Sequence, residues 1–301
     1  MRGRFAPSPT GPLHLGNLRT ALLAWLFARS AGSELLLRVE DLDPVAARAE
    51  VERAQLDDLV TLGIDWDGPV VHQSERLDRY HAAIDALVAA GRTYPCWCTR
   101  REVLAAASAP HEHLPEGAYP GTCRDLAGPD RAAREASGRP PSLRLRADGV
   151  EVAVADDVHG PVTGVVDDFV LRRGDGTPAY NLAVVVDDAA QAIEQVVRGD
   201  DLLAGTPRQV HLATLLGLPV PRHAHVPLVL GPDGERLAKR HGSVTRSELA
   251  VHGIGPPDLL ARMAASLGLA TEGEELDAAT LLRRFDPDRV PLDPWVFDAP
   301  L

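Results

Sequence analysis

The chain has 301 residues, 45% of them hydrophobic and 25% charged, enough for one large α/β domain with insertions or two modest ones. Its formal charge of −12 excludes a sequence-independent nucleic-acid coat, although one local arginine patch could still meet a structured RNA. No apolar run reaches membrane-spanning length and no signal-peptide core opens the chain, so a cytoplasmic protein with no membrane partner is expected.

In chain order, "GRFA" reads as a short strand and "PSPTGPLH" as a proline-stiffened loop. "LGNLRTALLAWLFARSAG" follows as a helix, with Leu18, Ala21, Leu22, Trp25 and Leu26 at helical spacing and Gly32 as its stop. "ELLLRVEDLD" is a mostly apolar strand with an acidic end, and a helix from about Val45 to Leu62 closes at Gly63. This βαβα order predicts a doubly wound parallel sheet. From about Tyr94 to Ala179 the pattern shifts to Pro, Gly, Cys and short extended pieces, an apparent insertion. "DFVLRRGDGTPAYNLAVVVDD" reads as a hairpin turning at Asp175-Gly176, its second strand apolar, and "EQVVRG" as a strand reaching Arg198. Thr206 with Gln209 has the spacing of a capping box, with Pro207 at the first helical position. A strand, a tight turn and a polar loop end at "GERLAKRHGS", and amphipathic helices such as "PPDLLARMAASLGL" complete the chain.

Three stretches carry chemistry. A strand feeding a rigid loop into a helix N-terminus makes a phosphate site from free N–H groups and the helix dipole. Here Gly16 permits close backbone approach and His14 can donate to a phosphate oxygen. Among 31 basic residues Lys239 is the single lysine, a compact ammonium where the chain otherwise writes arginine. Cys96, Cys98 and Cys123 cluster in one segment, which in a cytosolic chain suggests metal before disulfide. A structural zinc takes four ligands, and by chemistry alone His111 or His113 is the favoured fourth. Arginines at 100–101, 144, 146 and 172–173 could form the RNA patch, or be ordinary solvated residues.

"RFAPSPTGPLHLGNLRTALLAWLFAR" resembles the first signature of class I glutamyl-tRNA synthetases, with His14-Leu15-Gly16-Asn17 at the HIGH motif. "ERLAKRHG", about 220 residues further on, is similar to their KMSKS loop. "LLRVEDLD", "LGIDWD", "QSERLDRY", "PAYNLAVVVDD" and "VVRGDDLLAGTPRQ" match the family in order between them, so the resemblance runs from residue 2 to about 299. Two positions depart: Asn17 replaces the second histidine of HIGH, and Ala238 replaces a serine of KMSKS, leaving Lys239 as the loop's principal charged ATP contact.

The resemblance implies the class I aminoacyl-tRNA synthetase fold, a Rossmann-type doubly wound parallel sheet with a zinc-containing insertion and a small C-terminal helical segment. Its expected parts are residues 1–93 and 180–245 as halves of the catalytic core, 94–179 as the insertion and 246–301 as a helical stem-contact segment. It implies His14 and Lys239 as catalytic groups, with Gly16 and Asn17 beside them on ATP. Glutamate would fall to Arg4, Phe5, Ala6, Pro7, Ser8, Glu40, Tyr180 and Arg198, and arginine suits bidentate contact with a carboxylate. The family pattern Cys-x-Cys…Tyr-x3-Cys makes Tyr119 the fourth ligand of one structural Zn2+, with His113 as alternative. Only 59 residues follow Gly242, too few for an anticodon reader, so the chain resembles the short group that glutamylates the queuosine base of tRNA(Asp). That group implies L-glutamate, MgATP and the queuosine-bearing anticodon stem-loop as partners of a monomer. A truncated synthetase charging tRNA(Glu) and a non-catalytic glutamate- or RNA-binding paralogue are the alternatives.

Overall fold

The first helix is buried almost all round: Leu15, Leu18, Ala21, Leu22, Leu23, Leu26 and Phe27 are each at most 3% exposed. A helix apolar on every face has to lie between other layers, and this one, α1 (Leu15–Ser30), connects β1 (Gly3–Phe5) to β2 (Leu35–Val39). The computed structural model describes residues 1–107, 118–235, 237, 244–271 and 273–298. β1 and β2 pair in parallel with Gly3 opposite Leu35 and Phe5 opposite Leu37, and β3 (Val71–His72) continues the sheet beside β2. α2 (Ala49–Thr61) and α3 (Leu77–Ala89) complete the first half. α2 begins four residues later than expected, because Asp43 turns the chain by accepting from the amides of Val45 and Ala46. Arg48 is then extended before the helix starts.

The middle stretch contains β4 (Thr93–Cys96), α4 (Arg100–Ala107), α5 (Gly128–Ala136), β5 (Ser142–Leu145), β6 (Glu151–Asp156), β7 (Gly160–Val165) and β8 (Val170–Arg172). β4, β5 and β8 form a separate antiparallel sheet. The hairpin β6–β7 joins the second half of the main sheet instead, through β6 beside a later strand, so residues 94–179 are divided between two sheets.

The expected turn at Asp175-Gly176 is present, with Gly176 at φ +90° and Arg173 accepting from its amide. The expected second strand is a helix, α6 (Tyr180–Ala190). Its unbroken run from Leu182 to Val186 is buried, and an apolar run packed on both sides reads alike as buried strand or buried helix. β9 (Gln195–Gly199), α7 (Thr206–Leu215), β10 (Arg222–Val226), β11 (Val229–Leu230), α8 (Arg246–Val251), α9 (Pro256–Ala265), α10 (Ala278–Arg284) and β12 (Trp295–Val296) complete the order. β9 and β10 are parallel, and β9 runs beside β1: the amides of Glu194 and Gln195 both reach the carbonyl of Arg2. The order across the molecule is therefore β3-β2-β1, then β9-β10-β6-β7, with every pair parallel except β6–β7. Strand order reverses between β1 and β9, where such sheets open a ligand crevice at the strands' carboxyl ends.

Candidate active site

A cleft of about 200 Å³ opens at that reversal, lined by Arg4 and Phe5 from β1, by Ala6 just after it, by Glu40 beyond β2 and by Arg198 from β9. His14, Gly16, Asn17 and Thr20 line it from the start of α1, and Tyr180 from the start of α6. Pro7 and Ser8, expected among the glutamate contacts, do not line it. The Pro7 carbonyl instead accepts from the Glu40 amide at 2.9 Å, and that of Ser8 accepts from the Gln55 side chain at 3.0 Å.

The helix N-terminus is built by its own signature. His14 caps α1 with its Nδ1 accepting from the Asn17 amide, while Asn17 Oδ1 accepts from the His14 amide. Asn17, a departure from HIGH in the sequence, is thus the reciprocal half of a capping box. With Nδ1 accepting, the ring proton lies on Nε2. A Cβ on Gly16 would come within 3.1 Å of the His14 ring, so this glycine makes room for the histidine as well as for a ligand.

Lys239 lies outside the described residues, as do Ala238 and the histidines at 111 and 113. Described residues within and just after the second signature lie near the start of α1. Leu237 lines the cleft, and the Val244 carbonyl accepts from the Leu15 amide at 2.8 Å, beside a bridge between His14 and Thr245.

Three charged side chains converge on the cleft from within the fold. Arg4 is 4% exposed and donates to Asp188 and to the Val197 carbonyl, both at 3.3 Å. Asp188 also accepts from the fully buried Arg38 at 2.7 Å, so one buried carboxylate holds two guanidinium groups. Burial pushes the Glu40 carboxyl above the usual carboxylate range, against the opposing pull of Arg38 and Arg4. Burial also lowers the Arg198 guanidinium, an effect Tyr180 and Asp188 oppose. Arg198 donates from Nε to His225, from Nη1 to Gln209 Oε1 and from Nη2 to Thr206 Oγ1, at 3.0, 2.8 and 2.8 Å. Thr206 and Gln209, read in the sequence as a capping box, make no cap: the helix leaves a 3₁₀ turn directly, and both side chains serve Arg198. Sequence reasoning missed Asp188 and His225 as well. "VVVDD" and "HAHV" put acid and imidazole on buried elements, but no spacing rule ties them to an arginine elsewhere in the chain.

The sulfurs of Cys96, Cys98 and Cys123 lie within 4.8 Å of one another. Tyr119 Oη is 3.3 Å from Cys96 Sγ and 3.7 Å from Cys98 Sγ, and it also accepts from the Cys123 amide. Burial opposes ionisation of Cys96, but the Tyr119 hydroxyl and Arg144 outweigh it and hold the thiol low; burial pushes Cys98 up to about 12. Three converging soft donors with a phenolic oxygen beside them fit a closed tetrahedral metal site. Arg144 lies 3.6 Å over the Tyr119 ring and is buried, so it belongs to this cluster and is no part of an RNA-facing patch.

The parallel sheet, the crevice at its reversal and the capped helix beside it define a nucleotide-binding α/β enzyme of the class I synthetase type. Residues 1–299 match the model for "tRNA synthetases class I (E and Q), catalytic domain", and the chain belongs to that family of ligases. It is similar to the Glutamyl-Q tRNA(Asp) synthetase of Nocardia farcinica, at 61% identity over 98% of this chain and 92% of that protein. The protein of the same name from Symbiobacterium thermophilum is 48% identical over 97% of this chain and 94% of its own length. The crystal structure of a glutamate tRNA ligase from Elizabethkingia meningosepticum, in complex with its amino acid, superposes with a TM-score of 0.82 at 27% identity. That match covers 99% of this chain and 67% of the ligase. Among the described residues no helix is long and apolar enough to cross a membrane.

Proposed function

We propose that this ligase activates L-glutamate with MgATP, without needing tRNA, and attaches the glutamyl group to the queuosine base at the wobble position of tRNA(Asp). The observation that carries the first step is the convergence of two buried arginines and the half-buried Glu40 carboxylate at strand ends beside a capped helix N-terminus. A free amino acid with an acidic side chain presents two carboxylates and one ammonium. Arg198 and Arg4 suit the side-chain carboxylate, Glu40 the ammonium, and Tyr180 closes the cleft over the substrate. The α-carboxylate oxygen attacks the α-phosphorus of ATP, the bond to the bridging oxygen breaks, and pyrophosphate leaves. The first turn of α1, His14 through its Nε2 proton and Lys239 stabilise the charge that spreads over the transferring group. Gly16 and Asn17 shape the ATP side of the cleft. A structural Zn2+ on Cys96, Cys98, Cys123 and Tyr119 would hold the segment between β4 and α5 to the catalytic core, taking no part in the reaction.

The tRNA(Asp) target rests on the 61% identity, over 92% of its length, to a relative carrying that activity in its name. Ordinary charging of tRNA(Glu) is the competing reading, since the superposed glutamate tRNA ligase shares the fold. One experiment separates them: labelled glutamate and ATP are incubated with queuosine-containing tRNA(Asp) or with tRNA(Glu), each either intact or blocked by removal of its 3′-terminal adenosine. Label on blocked tRNA(Asp) and pyrophosphate exchange without tRNA are expected. Label confined to unblocked tRNA(Glu) overturns the modifying reading.

A further inference from the structure

Behind Arg198 lies a buried chain of side chains that the reaction as described does not use. His225 is fully buried on β10, and Asp156, at the carboxyl end of β6, is 5% exposed. Asp156 Oδ2 is 2.6 Å from His225 Nδ1, while Asp156 Oδ1 accepts from the amides of Val158 and His159 at 3.0 Å each. On the other edge of the ring, His225 Nε2 faces Arg198 Nε at 3.0 Å and Thr206 Oγ1 at 3.1 Å.

The guanidinium settles the proton. It has five N–H donors and no acceptor, so Nε2 has to accept from Arg198 and the ring proton has to be on Nδ1, donated to Asp156. A protonated imidazole would set one N–H against another. Burial keeps His225 neutral in spite of Asp156, and the facing Arg198 and nearby His159 push the same way. His223, stacked on the ring at 5.9 Å, is likewise held neutral by burial and by Arg198, its pKa lowered to about 3. Three N–H groups of Arg198 are fixed by His225, Gln209 and Thr206, which leaves two donors on the side of the cleft that Arg198 lines, where the Tyr180 hydroxyl also reaches the guanidinium.

We infer that His225, fixed by Asp156 as the Nδ1–H tautomer, is a positioning residue that aims the two remaining donors of Arg198 at the substrate's side-chain carboxylate. The inference rests on the glutamate reading above for what Arg198 contacts. The structural alternative, in which the pair only stitches β6 to β10, predicts lost stability without selective loss of one substrate.

Asp156→Asn tests it. The new amide keeps its oxygen on the amides of Val158 and His159, so its nitrogen faces His225 Nδ1. The ring is forced to the Nε2–H form, donor against donor at Arg198. In tRNA-independent pyrophosphate exchange, the KM for glutamate should rise about tenfold or more, the scale set by one buried unsatisfied donor, while the KM for ATP stays within about twofold. Adding His225→Gln, which offers Oε1 where Nε2 stood, should restore part of the loss in the Asp156→Asn background. Equal rises in both KM values, or no rise in either, overturn the inference. Arg198→Lys separates the two levels. If it raises the glutamate KM while Asp156→Asn does not, only the positioning role fails. If Arg198→Lys leaves that KM unchanged, the assignment of Arg198 falls too. A two-bond proton–nitrogen NMR spectrum of the histidine-labelled wild-type protein gives a readout independent of substrate, with His225 identified by its loss in His225→Gln. An Nδ1–H signal is expected, and an Nε2–H signal overturns the inference whatever the variants do.

Discussion

Glu40 stands beyond β2 between Arg38 and Arg4, and its burial sets stability against binding. A carboxyl whose pKa is raised on folding binds more protons in the native than in the unfolded chain. Its contribution to stability is therefore present at low pH and lost as pH climbs through the native pKa. Binding an ammonium needs the opposite, the ionised form. Glu40→Gln should accordingly leave the Tm unchanged or raise it, while the KM for glutamate rises about tenfold or more. Calorimetry with exchange kinetics checks this, and a lower Tm with an unchanged KM contradicts it. Arg4, Glu40, Tyr180 and Arg198 were all legible in the sequence, through the family signature around them, and the cleft brings them together. Asp188 and His225 were not, because their partners are 184 and 27 residues away and meet them only across strands.

At the scale of elements, the sequence misleads where local rules compete with tertiary packing. The Val-rich start of "NLAVVVDD" carries high β-propensity yet forms α6, whose burial on both sides makes the apolar run uninformative about period. Thr206 and Gln209 satisfy a capping pattern but bind a buried guanidinium, which leaves a greater penalty if unpaired than a helix end open to water. The join between the β6–β7 hairpin and α7 is tight at Gly164, where a Cβ would come within 2.8 Å of the Pro207 ring. A proline ring cannot swing aside as a long side chain can. Gly164→Ala should therefore cost about 1–3 kcal/mol in urea unfolding, the range of core overpacking. A cost below a few tenths would show that β7 moves freely against α7.

At the scale of the molecule, three apolar clusters among the described residues divide the work: one around α1, one around α3, α6 and α7, and a small one built on the cysteines. The third has far fewer members than the other two and three of its side chains are thiols, so we expect a metal to hold it. Purified protein should carry one zinc per chain, Cys98→Ser should lose it, and Tyr119→Phe should retain only a fraction. Chelation should lower the Tm, and full zinc retention in Tyr119→Phe would remove the phenol from the ligand set. By itself the sequence determined the βαβ start, the helix beginning just after His14, the metal-type cysteine cluster and the two signatures, because each is set by residues close along the chain or by a dense motif. Only the tertiary structure decided that β9 lies beside β1, that the hairpin at 151–165 joins the main sheet, and that Asp156, His225 and Thr206 stand behind Arg198. Those pairings are chosen by which buried polar groups can satisfy one another in three dimensions, and neither periodicity nor composition records that choice.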